Sequence, residues 1–104
     1  MDHAFVDELD DLRHRLGFGL RITSGYRCPA YNAKVSSTGL AGPHTTGRAV
    51  DIWVDRTRAY EVLQTALIMK FTGVGIQQKG PSRFIHLDNL PNAPGQIRPT
   101  VWSY

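Results

Sequence analysis

Two short segments constrain this chain more than any others. Arg48-Ala49-Val50-Asp51-Ile52-Trp53-Val54 and Arg83-Phe84-Ile85-His86-Leu87-Asp88 both carry apolar residues at every second position. A strand turns successive side chains to opposite faces. Val50, Ile52 and Val54 therefore share one face, and Ala49, Asp51 and Trp53 the other. In the second segment Phe84, His86 and Asp88 oppose Ile85 and Leu87. The apolar faces should pack on helices, and Asp51 should look outward from them.

The flanking sequence supplies those helices. Phe5, Leu9, Leu12 and Leu16 recur at spacings of three and four, which predicts an amphipathic helix over residues 3–16. Asp7, Glu8, Asp10 and Asp11 take its other face. Arg13, His14 and Arg15 crowd its C-terminal end, where cations suit the dipole, and Gly17 stops it. A second helix is expected over residues 56–71, with Tyr60, Leu63, Leu67 and Phe71 as its buried stripe. Short strands are expected at 20–23 and from Gly73, with turns at 24–29 and 79–82. Pro29 should open a short helix reaching about Lys34. Residues 35–47, rich in Ser, Thr, Gly and Pro, read as a long loop. The tail from Pro91 reads as irregular until Pro99–Tyr104, expected as an edge strand. The order predicts an α+β fold, a small antiparallel sheet with helices packed on one face. One domain over residues 1–104 is expected.

Composition narrows the chemistry. A single cysteine among 104 residues excludes a disulfide scaffold and a four-cysteine zinc finger. A metal, if bound, must be held by His and carboxylate. Twelve Lys+Arg against nine Asp+Glu give a net charge of +3, compatible with an anionic polymer but weak as a signal. No basic run interleaved with aromatics suggests a nucleic-acid groove. Apolar runs such as Ala66-Leu67-Ile68-Met69 are too short to span a bilayer. The N-terminus has no basic stretch followed by an apolar one, so no signal peptide is visible and cytoplasmic synthesis is expected.

The segment His44-Thr45-Thr46-Gly47-Arg48-Ala49-Val50-Asp51 puts an imidazole at a loop end and a carboxylate seven residues on. If the strands of Asp51 and His86 are neighbours, both side chains point to one open face, and His44 can fold over from the loop. Two imidazoles and one carboxylate are a set used by catalytic zinc, with a fourth position left for water. Such an ion lowers the pKa of its water to about 7 and polarises a carbonyl. The chemistry deduced is metal-assisted hydrolysis. Taken singly, His44 also reads as a surface loop histidine and Asp51 as a hydrogen-bonding residue of the strand. Yet a carboxylate between Val50 and Ile52 loses hydration and needs a partner, either a metal or a cation such as Arg48.

The sequence resembles the zinc D-alanyl-D-alanine peptidases, a family of carboxypeptidases, dipeptidases, murein endopeptidases and phage endolysins whose fold is shared with hedgehog domains. The matching stretches are Ser24-Gly25-Tyr26-Arg27-Cys28-Pro29-x-Tyr31-Asn32, His44-x-x-Gly47-Arg48-Ala49-Val50-Asp51-Ile52, Gly73-Val74-Gly75, Phe84-Ile85-His86-Leu87-Asp88 and Arg98-Pro99-x-x-Trp102. They occur in the family's order. The resemblance implies one zinc ion on His44, Asp51 and His86. It gives Arg27 a role on the substrate carboxylate or the developing oxyanion, as a guanidinium fork would allow.

The sequence departs from the family at the general base. No acid stands at Gly80-Pro81-Ser82-Arg83, and Phe84 replaces the histidine that other branches carry. Asp88 is the carboxylate left beside the site. It either takes the water proton or orients His86. Gly42 stands where relatives often carry Ser, so Ser36, Ser37 or Thr45 would supply that substrate hydrogen bond. His3 and His14 read as surface residues and Cys28 as an inert buried thiol. Trp53 and Trp102 read as core residues, with cleft lining as the rarer role. The function implied is zinc-dependent hydrolysis of D-amino-acid-containing peptides in bacterial peptidoglycan by a monomer, with no nucleic-acid partner and no membrane insertion. It would reach the wall after release from the cell or on a virion. The alternative is a hedgehog-like zinc module without hydrolase activity.

Overall fold

A computed structural model describes residues 2–24 and 47–104. The expected helix at 29–34 and most of the expected loop at 35–47 lie outside the described residues. Helix α1 spans His3–Leu16. The Asp2 side chain caps its start, accepting a bond from the Phe5 amide at 2.9 Å. Gly17 ends it in the left-handed conformation, at φ 78°, where a residue with a Cβ would be strained. Phe5, Leu9 and Leu12 are buried and Leu16 packs against them, as their spacing predicts.

Helix α2 spans Arg56–Ile68. Its buried face is Ala59, Val62 and Ala66, not the expected stripe, since Tyr60 is 68% exposed and Leu67 54%. The expected stripe took the largest side chains. The real face takes small ones, and the bulk comes from α1 and the sheet. Of that stripe, Leu63 is partly buried and Phe71, past the helix end, packs edge-on against Phe5 at 6.1 Å.

Among the described residues five strands form one sheet in the order β1-β2-β4-β3-β5. They are β1 Ile22–Ser24, β2 Ala49–Trp53, β3 Gly73–Gln77, β4 Phe84–Asp88 and β5 Thr100–Ser103. The first four pair antiparallel, but β5 runs parallel to β3, so the sheet is mixed rather than antiparallel throughout. Both flanks of β4 are already occupied, by β2 and β3. The chain leaving Asp88 must pass β3, and Asp88 sits opposite Gly73, where β3 begins. The connector stays at that end of the sheet: Thr72 N–H donates to Asp88 C=O at 3.0 Å and Thr100 N–H to Thr72 C=O at 2.8 Å. Starting from the same end as β3, β5 has to run in its direction.

Val50, Ile52, Val74, Ile85 and Leu87 face α1 and α2 and form the core with Phe5, Leu12 and Val62. The other face carries a continuous row across four strands: Asp51 opposite His86, His86 opposite Gly75, and Gly75 opposite Trp102. Among the described residues no helix is long and apolar enough to cross a membrane.

The two faces of α2 should differ in a substitution pair. We expect Val62→Ala to cost about 1.5–3 kcal/mol in urea unfolding. Leu67→Ala should stay within about 0.5 kcal/mol. The reverse ranking would show that the buried face is misassigned.

Candidate metal centre

The middle strand places His86 between two carboxylates. Its Nδ1 lies 3.2 Å from Asp51 Oδ1 on β2, and its Nε2 lies 2.8 Å from Asp88 Oδ2, two residues along β4. His86 is 2% exposed and Asp88 fully buried, while Asp51 opens onto a cleft. The shorter contact favours one tautomer of a neutral ring, with Nε2–H donating to Asp88 and the Nδ1 lone pair aimed at Asp51. Two acceptors then face each other at 3.2 Å, which requires a positive charge between them. A proton on Nδ1 meets that need, and so does a metal ion.

Donor chemistry and spacing both fit zinc. A tetrahedral ion bound to one imidazole nitrogen and one carboxylate oxygen needs them about 3.4 Å apart. A carboxylate on the far nitrogen of the imidazole is the usual support of such a ligand. Among the described residues no three metal-ligating side chains converge. His44, the third expected ligand, lies outside the described residues, as do Arg27, Ser37 and Thr45.

Asp88 is held from every side. Arg98 donates from Nε to Oδ1 at 3.0 Å and from Nη2 to Oδ2 at 2.8 Å, and the Leu90 amide reaches Oδ1 at 3.3 Å. Burial pushes the carboxyl up, but the bonds from His86 and Arg98 outweigh it and hold it at about 2. Burial likewise lowers His86, and the bonds from Asp51 and Asp88 overcome that and raise it above the usual histidine range. Both oxygens of Asp88 are thus engaged, and neither reaches solvent. Its geometry is that of a group that orients His86.

Room for this arrangement is taken from β3. A Cβ at Gly73 would collide with the Asp88 carboxylate, and one at Gly75 would come within 2.5 Å of Trp102 Nε1. Trp102 covers His86, with ring centroids 4.9 Å apart. Arg98 was legible in the sequence only as part of a motif without a role, and Trp102 as a core residue. The available signal was the need of a buried Asp88 for a cation. Neither Trp53 nor Trp102 is in the core. Trp53 is half exposed under the Arg21 guanidinium, which lies 4.0 Å from its ring centroid. Arg48, the rival partner for Asp51, reaches Asn89 through Nε and Nη2, each at 2.7 Å. His3 and His14 are exposed, as expected.

A family model described as Peptidase M15 matches residues 2–88. The chain belongs to the M15 peptidases. It is therefore a metallopeptidase by family, and M15 peptidases are generally zinc-dependent. No curated protein and no solved structure matches it significantly. Asp51, His86 and Asp88 fall within the matched span, while Arg98 and Trp102 lie beyond it.

These protonation states give the metal-free protein a signed pH dependence. The depressed Asp88 value contributes stability that is present above about pH 4 and lost as pH falls through about 2. The loss should be roughly 2–3 kcal/mol. His86, raised, contributes stability that is present below 6.5 and lost as pH rises through its folded value. Urea unfolding in chelator from pH 2 to 9 checks both. Asp88→Asn should flatten the acid limb relative to the parent, and an unchanged limb would exclude Asp88 as its source.

Proposed function

We propose that this M15 peptidase is a zinc enzyme hydrolysing D-amino-acid-containing peptide bonds of bacterial peptidoglycan, as a murein endopeptidase or D-Ala-D-Ala carboxypeptidase of phage or prophage type. The observation that carries this is the Asp51–His86 pair, facing across 3.2 Å at the mouth of an open cleft, with the far side of His86 locked by Asp88. His44, Asp51 and His86 would hold the ion. Zinc bound there supplies an acidified water and an electrophile for the scissile carbonyl.

The chain's own residues do the rest. Asp51 and His86 present their donor atoms from adjacent paired strands, so little reorganisation is needed on binding. Asp88 keeps the His86 Nδ1 lone pair toward the cleft, and Arg98 keeps Asp88 ionised. In this reading Asp88 is a positioning residue, and the proton of the attacking water goes to another group. Arg27 anchors the substrate carboxylate or the oxyanion, and Ser37 and Thr45 supply hydrogen bonds to the peptide. The protein acts as a monomer on the wall, after release from the cell or from a virion.

Digestion of purified peptidoglycan by the zinc-loaded protein, with mass analysis of the products, tests this reading against a zinc module without activity. We expect new amino termini or free D-alanine, abolished by chelator. Absence of products from every wall type would overturn the enzyme reading.

His44→Ala, Asp51→Ala and His86→Ala should each lose zinc by elemental analysis. Asp88→Asn should bind zinc about 10–100-fold more weakly and lose activity. Full activity in Asp88→Asn would exclude the positioning role.

A further inference from the structure

The cleft that opens at Asp51 continues along β2 and β4 to the turn before Phe84. Its described wall is Asp51, Trp53, Ser82, Arg83 and Phe84, and its volume is about 310 Å³. Trp53 and Phe84 oppose each other in register, giving the middle of the cleft an apolar floor. Asp51 lies at one end and Arg83 at the other. Asp51 is engaged with His86, and Arg83 is the one cation in the described wall.

Arg83 is half-buried and poised. Its Nε donates to Gly80 C=O at 3.0 Å, the side chain's one hydrogen bond among the described residues. That bond anchors the guanidinium to the turn and leaves both terminal amino groups to a ligand. An arginine held in this way loses less freedom when it binds. Two parallel N–H groups beside an apolar floor match a carboxylate, and Ser82 also lines the cleft.

The spacing sets which carboxylate. Trp53 and Phe84 lie two residues from the Asp51–His86 row, and Arg83 one further. At about 3.3 Å per residue this is roughly 7–10 Å, which an extended peptide covers in about two or three residues. We propose that Arg83 forms a substrate subsite for an acidic residue of the peptide, two or three residues from the bond cleaved. This rests on the metal centre of the proposed function as the point of cleavage.

The probe is a set of wall stem-peptide analogues in which a carboxylate is replaced by a carboxamide at one position at a time. Steady-state kinetics and calorimetric binding to the metal-free protein are measured for the parent, Arg83→Gln and Arg83→Lys. We expect one carboxylate two or three residues from the cleaved bond to improve KM and affinity by roughly 10–100-fold in the parent. Arg83→Gln should erase that preference with kcat unchanged, and Arg83→Lys should keep part of it. The same carboxylate-to-carboxamide ratio in the parent and Arg83→Gln overturns the subsite. A parent that binds the acidic peptide preferentially but cleaves none overturns the peptidase reading and leaves the subsite standing.

Discussion

One imidazole held between two carboxylates organises this molecule. His86 is buried on the middle strand, so neither of its nitrogens can be satisfied by bulk water. Asp88 takes one nitrogen and Asp51 faces the other. The arrangement is stable only with a positive charge on the Asp51 side. In the metal-free protein burial opposes a charge on His86, but the hydrogen bonds to Asp51 and Asp88 outweigh it and raise His86 above its ordinary value. A metal ion would compete for the same place, so occupancy should weaken in acid. Stability and metal binding are then two readings of one gap.

The gap exists because β3 gives up its side chains. Glycine weakens a strand interior, since it brings backbone entropy and no packing. Here Gly73 and Gly75 lie directly beside Asp88 and His86, and the space above them is filled by the Asp88 carboxylate and the Trp102 ring. The strand loses local stability, and the neighbouring strand gains a polar centre shielded from water. Val74 and Ile76, between and after the two glycines, still pack on the helix side and hold β3 in place.

The sequence was most informative where periodicity and burial agree. The stripe of α1 and the faces of β2 and β4 follow from alternation and spacing, whereas the pairing of Asp51 with His86 was only a condition in the sequence, which the register of β2 and β4 meets. The buried face of α2 did not, because Ala59, Val62 and Ala66 carry little hydrophobic weight beside Tyr60 and Leu67. Tertiary contacts chose the small residues, which let the helix approach α1. The direction of β5 was also hidden. It depends on which flank of the sheet is free when the chain leaves β4, and that is a property of the whole topology. Asp88 was legible as a residue beside the proposed metal site, but its work was not. Only the fork of Arg98, ten residues on, shows that its oxygens are already engaged.

That fork ties the centre to the last strand. A carboxylate with no exposure is costly unless a cation balances it, and Arg98 comes from the connector between β4 and β5. Its place is fixed on one side by the Asn92 side chain, which accepts from the Arg98 amide at 3.0 Å. On the other side, the parallel pairing of β5 with β3 fixes it. Strands β2 and β4 alone bring Asp51, His86 and Asp88 together, yet without the connector Asp88 would be an unbalanced buried charge and His86 would lose its cover from Trp102. The two strands supply the proposed ligands Asp51 and His86, and the segment from Arg98 to Trp102 holds Asp88 and covers His86.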